Sequence, residues 1–307
     1  MSSELDQFNP PVGACIELAP NLRRIIAPNP SPMTYRGTNT YLSGTRDIAV
    51  IDPGPEDNTH LTAILDAVPE GGTLTHIIVT HSHIDHSPLA KRLSQATGAP
   101  IYAFGPSDAG RSEVMTDLIA QGYAGGGEGI DTSFTPDICV TDGDRITIDG
   151  LVLEVLHTPG HMGNHICLAM GTALFSGDHV MGWASSMVSP PDGDLTDFMA
   201  SCQKLSRRQW SVFYPGHGDI IQTPNDRLDW LVSHRKSREA DILTCLQQGA
   251  KTPRGLAEAI YTETPPALLG AATRNVFAHL VDLSQRGLVQ TLGTLSAEAK
   301  FTLKIKE

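Results

Sequence analysis

From Leu22 to about Gly218 the chain alternates short apolar runs with Gly, Pro, Asp and Asn, the texture of strands separated by turns. The pattern predicts strands at 22–27, 38–42, 47–51, 75–80, 101–103, 145–148, 152–156, 165–170, 173–176 and 212–214. Helices are predicted at 60–67, 88–97 and 195–206. The second has Ser87 as expected N-cap, Pro88 in the first helical position and Gly98 as its stop. Strands mixed with a few helices point to stacked layers of sheet and helix, an α/β (α+β) class. The glycine-rich run 124–131 is expected to be a mobile surface loop.

After Pro224 the period changes. Thr223-Pro224 predicts the start of a long helix to Gln248, stopped by Gly249. Thr252-Pro253 starts a second, to about Tyr261, and Thr264-Pro265 a third, to about Arg286. In the third, Leu268, Leu269, Ala272, Val276, Leu280 and Leu283 recur at helical spacing as its buried stripe. Two short strands, 288–292 and 300–305, follow. Three helices and a hairpin suggest a small winged-helix-like module at 223–307 behind a larger domain at 1–222.

Charge changes this picture little. Residues 1–224 carry 11 Lys+Arg against 25 Asp+Glu, a balance of −14, and residues 225–307 carry 11 against 9, a balance of +2. An acidic body repels polyanions at long range. Five scattered cysteines without a CxxC pair suggest neither a disulfide framework nor a thiolate zinc knuckle, so a cytoplasmic setting is the simplest expectation. No apolar run approaches a membrane span, and the acidic start argues against a secretory signal.

Histidine carries the chemistry. His81-Ser82-His83-Ile84-Asp85-His86 places four potential metal ligands in six residues at the end of an apolar strand. In an extended segment His81 and His83 point the same way. His157-Thr158-Pro159-Gly160-His161, Ser176-Gly177-Asp178 and Tyr214-Pro215-Gly216-His217-Gly218 each put a further donor in a turn after a predicted strand. Together they offer five histidines and two aspartates, a donor set suited to a pair of cations, and the imidazole content favours zinc. His165 is expected to be structural. The segment 181–191 is a candidate lining of a substrate cleft. Arg274 and Asn275 lie on the third tail helix, where they could face nucleic acid or solvent.

The order HxHxDH, His161, Asp178, His217 resembles that of the metallo-beta-lactamase superfamily over about residues 20–220. The resemblance implies a four-layer αββα sandwich with two metal ions at one edge of its two sheets. By motif, His81, His83 and His161 would hold one Zn2+, and Asp85, His86 and His217 the other. Asp178 would bridge them, and Asp52 of Ile51-Asp52-Pro53-Gly54 would orient ligands from behind. Gly37-Thr38-Asn39-Thr40-Tyr41-Leu42, the Tyr-Pro-Gly-His-Gly run and the tail resemble the beta-lactamase-like protein 2 branch, which includes endoribonucleases acting on single-stranded RNA.

The expected chemistry is hydrolysis by a hydroxide shared between two cations, with Asp85 and Asp178 orienting it and moving protons. Single-stranded RNA is the first substrate the resemblance suggests. A thioester or small ester, as in glyoxalase II relatives, is the second. A binding role for the tail, toward nucleic acid, substrate or a second copy of the chain, is the third. Every candidate ligand lies at or before His217, so the donor set looks complete without the tail.

Overall fold

The computed structural model describes residues 8–304 apart from 124 and 126–128. The start of the chain, Ile305 and the two residues after it, and half of the glycine-rich run 124–131 therefore lie outside the described residues.

Seven strands form the first sheet in sequence order: β1 (Ile16–Ala19), β2 (Leu22–Ile26), β3 (Asn39–Ser43), β4 (Asp47–Ile51), β5 (Thr73–Ile78), β6 (Ile101–Ala103) and β7 (Ile138–Cys139). It is antiparallel as far as β4 and parallel beyond. Helices α1 (Asn58–Asp66) and α2 (Leu89–Thr97) make the crossovers that parallel pairing requires. The second sheet contains β8 (Arg145–Ile148), β9 (Leu151–His157), β10 (Ile166–Met170), β11 (Ala173–Gly177) and β12 (Val212–Pro215), in the order β12-β11-β10-β9-β8. Its one parallel pair, β11 with β12, is connected through α4 (Leu195–Leu205); α3 (Glu113–Ala120) precedes β7.

Strand periodicity sorts the side chains into three apolar layers. In β4, Ile48 and Val50 pack outward with Ile64 of α1 and Leu89 and Leu93 of α2. Ala49 and Ile51 turn inward, onto Leu153, Val155, Ile166, Leu168, Phe175 and Tyr214 of the second sheet. The opposite face of that sheet, with Cys167, Leu174 and Phe213, is covered by Leu195, Phe198 and Cys202 of α4. The result is the helix–sheet–sheet–helix sandwich expected from the sequence.

The tail packs on this body. Helix α5 (Pro224–Leu246) inserts Leu228 and Leu231 beside α4. Helices α6 (Pro253–Ile260) and α7 (Leu269–Gln285) and the hairpin β13 (Val289–Thr291) with β14 (Phe301–Leu303) share a second core around Leu256, Val276, Phe277, Leu280 and Phe301. Met115 and Leu118 of α3, a helix the sequence pattern did not predict, close this core from the body side.

Two expectations are corrected. Ser87 does not cap α2. The helix begins at Leu89 with Pro88 as its N-cap, and the Ser87 hydroxyl instead meets the His83 carbonyl and the Asp131 carboxylate. Leu268 leaves the buried stripe, because Pro266–Leu268 forms a separate 3-10 turn before α7.

Candidate metal centre

The donors lie beyond the C-terminal ends of β5, β9, β11 and β12, which share one edge of the sandwich. Two clusters form there. His81, His83 and His161 make the first, and Asp85, His86, Asp178 and His217 the second; within each, the ligand atoms lie within 4.8 Å of one another. In the first, His81 Nε2 and His161 Nε2 stand 2.9 and 3.0 Å from His83 Nδ1. In the second, His217 Nε2 is 3.2 Å from His86 Nε2 and 3.0 Å from Asp85 Oδ2. Asp178 sits between them. Its Oδ2 is 3.3 Å from His217 Nε2 and 3.7 Å from His161 Nε2, and its Oδ1 is 3.5 Å from His86 Nε2.

The outward ring nitrogens set the inward ones. His161 Nδ1 donates to the Met187 carbonyl at 2.7 Å, and His217 Nδ1 to the Gly37 carbonyl at 3.3 Å. His86 Nδ1 donates to Asp52 Oδ2 at 2.9 Å. Thr80 Oγ1 gives its proton to Asp52 Oδ2, so it accepts from His81 Nδ1. Each of these four rings therefore directs its Nε2 into the site. Asp52 also accepts the Thr80 backbone N–H, at 2.7 Å, so one carboxylate aligns both His86 and the entry to the HxHxDH segment.

This donor set fits cations. Seven nitrogen and oxygen donor atoms converge in two groups, and buried Asp178 Oδ1 has no hydrogen-bond donor from the protein. The electrostatics agree. Burial pushes His81 well below its usual range and His83 to about 3, leaving these two rings neutral. In the second, burial works against charge, yet Asp178 and the other carboxylates outweigh it: His217 is lifted to about 9 and His86 well above 6.5. Burial likewise raises Asp85 and Asp178, but the facing His86 and His217 pull both below the normal carboxylate range.

The surroundings hold these groups in register. Residues 129–131 pair with the ligand segment, through Ile84 N–H to Gly129 O and Asp131 N–H to Ser82 O. That end of the expected mobile loop is thus anchored; residues 124 and 126–128 lie outside the described residues. The Asn39 side chain donates to the Pro215 and Gly218 carbonyls, clamping the turn that carries His217. Gly216 is required by close approach, since a Cβ there would fall 2.3 Å from Asp178 Oδ1. His165 accepts the Asp178 backbone N–H at 3.2 Å and bonds Thr158 through its other nitrogen, in line with the structural role expected of it.

Beside the clusters opens a cleft of about 460 Å3. Met33, Ile84, Met181, Trp183, Met187 and Leu268 give it apolar walls. Arg274 and Asn275 also line it, so the start of α7 faces the cleft, and Asn275 is bonded inward rather than displayed to nucleic acid or solvent.

Residues 33–217 match the model of the metallo-beta-lactamase superfamily. The chain belongs to that superfamily. Residues 252–297 match the beta-lactamase associated winged helix domain. A beta-lactamase-like protein 2 homolog of Drosophila melanogaster is 32% identical over 305 residues, covering 94% of this chain and 96% of its own length. An atrochrysone carboxyl ACP thioesterase of a Cryptosporiopsis species is 26% identical over 255 residues, covering 81% of this chain and 70% of its own. The crystal structure of a beta-lactamase domain protein from Burkholderia ambifaria superposes with a TM-score of 0.79 at 19% identity over 99% of both chains, which establishes the fold over the whole length. This chain is accordingly a metallo-beta-lactamase superfamily hydrolase with a His/Asp site suited to divalent metals and a C-terminal winged-helix domain. Among the described residues no helix is long and apolar enough to cross a membrane.

Proposed function

We propose that this protein is a two-zinc hydrolase of acyl thioesters or esters with an apolar acyl group. The apolar wall of the cleft carries this reading. Met33, Ile84, Met181, Trp183, Met187 and Leu268 suit a hydrocarbon chain, and Arg274 is the single Lys or Arg among the described lining residues. An RNA strand brings a charge with every nucleotide and asks for several cationic contacts. The net charge of −12 offers no long-range attraction in compensation. The relative named as a thioesterase supports the same choice.

In this reading His81, His83 and His161 would hold one zinc ion and Asp85, His86 and His217 the other, with Asp178 as the donor they would share. The catalytic domain ends at residue 222 in this reading and the C-terminal domain begins at 223, with Leu268 and Arg274 of the latter completing the cleft wall. Bound there, a pair of cations supplies Lewis acidity and a water acidic enough to react at neutral pH. The protein does the rest. Asp52 fixes the plane of His86. Asp85, the more exposed of the two site carboxylates at 21%, orients the water and takes its proton. The apolar walls hold the acyl group and exclude competing water. Water oxygen then bonds the acyl carbon, the carbon–sulfur or carbon–oxygen bond breaks, and the proton leaves with the thiol or alcohol.

The test compares zinc-loaded wild type with Asp85→Ala on a medium-chain acyl thioester and a single-stranded RNA oligonucleotide. Thioester hydrolysis that depends on Asp85, with no RNA cleavage above the variant, is expected. Asp85-dependent RNA cleavage without thioester turnover would overturn the acyl reading in favour of a nuclease.

A further inference from the structure

The loop after Asp178 is held by the tail. Arg227 of α5 donates to the Met181 carbonyl at 2.7 Å and to the Ala184 carbonyl at 2.6 Å. Two turns further on, Arg235 donates to the Ser186 carbonyl and, at 2.9 Å, to Asn275 Oδ1 of α7. The same Asn275 oxygen accepts the Val188 backbone N–H at 3.1 Å. Ser186 and Val188 are thus pinned from the tail. Between them stands Met187, whose carbonyl orients His161. On its other side the loop is tied to the residue after Asp178, through Ser186 Oγ to the His179 carbonyl at 2.8 Å.

The chemistry of Arg235 sharpens the point. It is 2% exposed, and among the described residues no carboxylate pairs with it. A buried guanidinium without a counter-charge is costly, and a hydrophobic residue would serve packing better. What Arg235 supplies that a hydrophobic residue cannot is a planar fork of donors, here spanning a loop carbonyl and the Asn275 amide. Asn275 in turn needs both acceptor lone pairs of one oxygen, one for Arg235 and one for Val188.

We propose that Arg235 and Asn275 are positioning residues for His161, acting through the 186–188 segment, so that the winged-helix domain forms part of the metal centre's support. This rests on His161 being a ligand, as proposed above. The ligand atoms are complete by His217, but their orientation is not.

The test is zinc titration of the full chain against a competing chelator, with cobalt(II) absorption as a second readout, in wild type, Arg235→Met, Asn275→Ala, Asn275→Asp and His161→Ala. Arg235→Met should weaken one of two metal equivalents about 10–100-fold, the usual cost of losing a ligand's supporting partner, and leave the other unchanged. His161→Ala should weaken the same equivalent, and the cobalt bands of that site should move in both. Asn275→Asp keeps the acceptor and should restore what Asn275→Ala loses. A general loss of stability would instead lower both equivalents together and leave Asn275→Asp no better than Asn275→Ala; either result overturns the proposal. So does wild-type affinity at both sites in folded Arg235→Met. If Arg235→Met does not fold, half-buried Asn275 carries the same test. If His161→Ala leaves both affinities intact, the ligand reading itself fails; if it lowers one and Arg235→Met lowers neither, only the positioning role fails.

Discussion

The body and the winged-helix domain both bury histidines, and they treat them differently. In the body, His81, His86, His161 and His217 each have one ring nitrogen tied outward, to Thr80, Asp52, Met187 and Gly37, while the other faces the site. In the tail, His279 is 1% exposed and neither nitrogen has a partner. Burial first, then nearby Arg235, push it to about 3, so it is a neutral packing group. Burial alone therefore does not mark a functional histidine. What these four rings have and His279 lacks is an outward hydrogen bond that fixes both tautomer and direction. The tail contributes to the site by another route, through Leu268 and Arg274 in the cleft wall and Arg235 and Asn275 behind it.

The sharpest way to break this contrast is at the shared carboxylate. Asp178→Ala should lower hydrolysis on the order of 10³-fold and weaken metal binding, measured by steady-state kinetics and elemental analysis. Wild-type activity in a fully loaded variant would remove Asp178 from its central place. Next comes the support of the body's own ligands. Asp52→Ala leaves His86 and Thr80 without their common acceptor and should cost about 10–100-fold in affinity for one metal equivalent, read by chelator competition.

The tail histidine gives a stability effect. Folded His279 titrates near 3, against 6.5 for the ordinary side chain. Between these values the unfolded chain binds the proton and the folded chain does not. Stability therefore falls as pH drops below 6.5 and stops falling from this cause below about 3. Between pH 7 and pH 5 the loss is about 2 kcal/mol, which His279→Leu should remove. Urea unfolding of both proteins at the two pH values checks this; an unchanged pH dependence in the variant would contradict the neutral packing role. The smallest effect is expected at the cleft wall. Leu268→Ala should raise KM for a long acyl chain by roughly tenfold, from lost apolar contact of about 1–2 kcal/mol, and spare a short one. Equal effects on both chains would show that Leu268 does not touch the acyl group.

In both regions the sequence disclosed local placement and concealed long-range support, for a physical reason. The seven donors and Asp52 sit in short turns directly after apolar strands, where local pattern dictates geometry, and all eight meet at one edge of the sandwich. The tail's helices and hairpin were equally legible from helical spacing and Pro/Gly punctuation. What remained hidden acts across the chain. Thr80 and Asn39 work through bonds to partners 28 and 176 or more residues away. Arg235 carried no assigned role, and Asn275 was expected to face nucleic acid or solvent; packing brings both to the loop after Asp178. Ser87 misled because a good N-cap type can serve another acceptor when a turn precedes the helix. Helix α3 escaped because its eight residues bury only Met115 and Leu118, and their core belongs to the tail.

The central claim is that hydrolysis depends on two cations held by these seven side chains. Protein stripped by chelator and titrated with zinc, assayed on an acyl thioester, tests it most directly. The account predicts no turnover in the stripped protein and a rise that levels off at two equivalents per chain. Turnover that survives stripping, or that is complete at one equivalent, would contradict it.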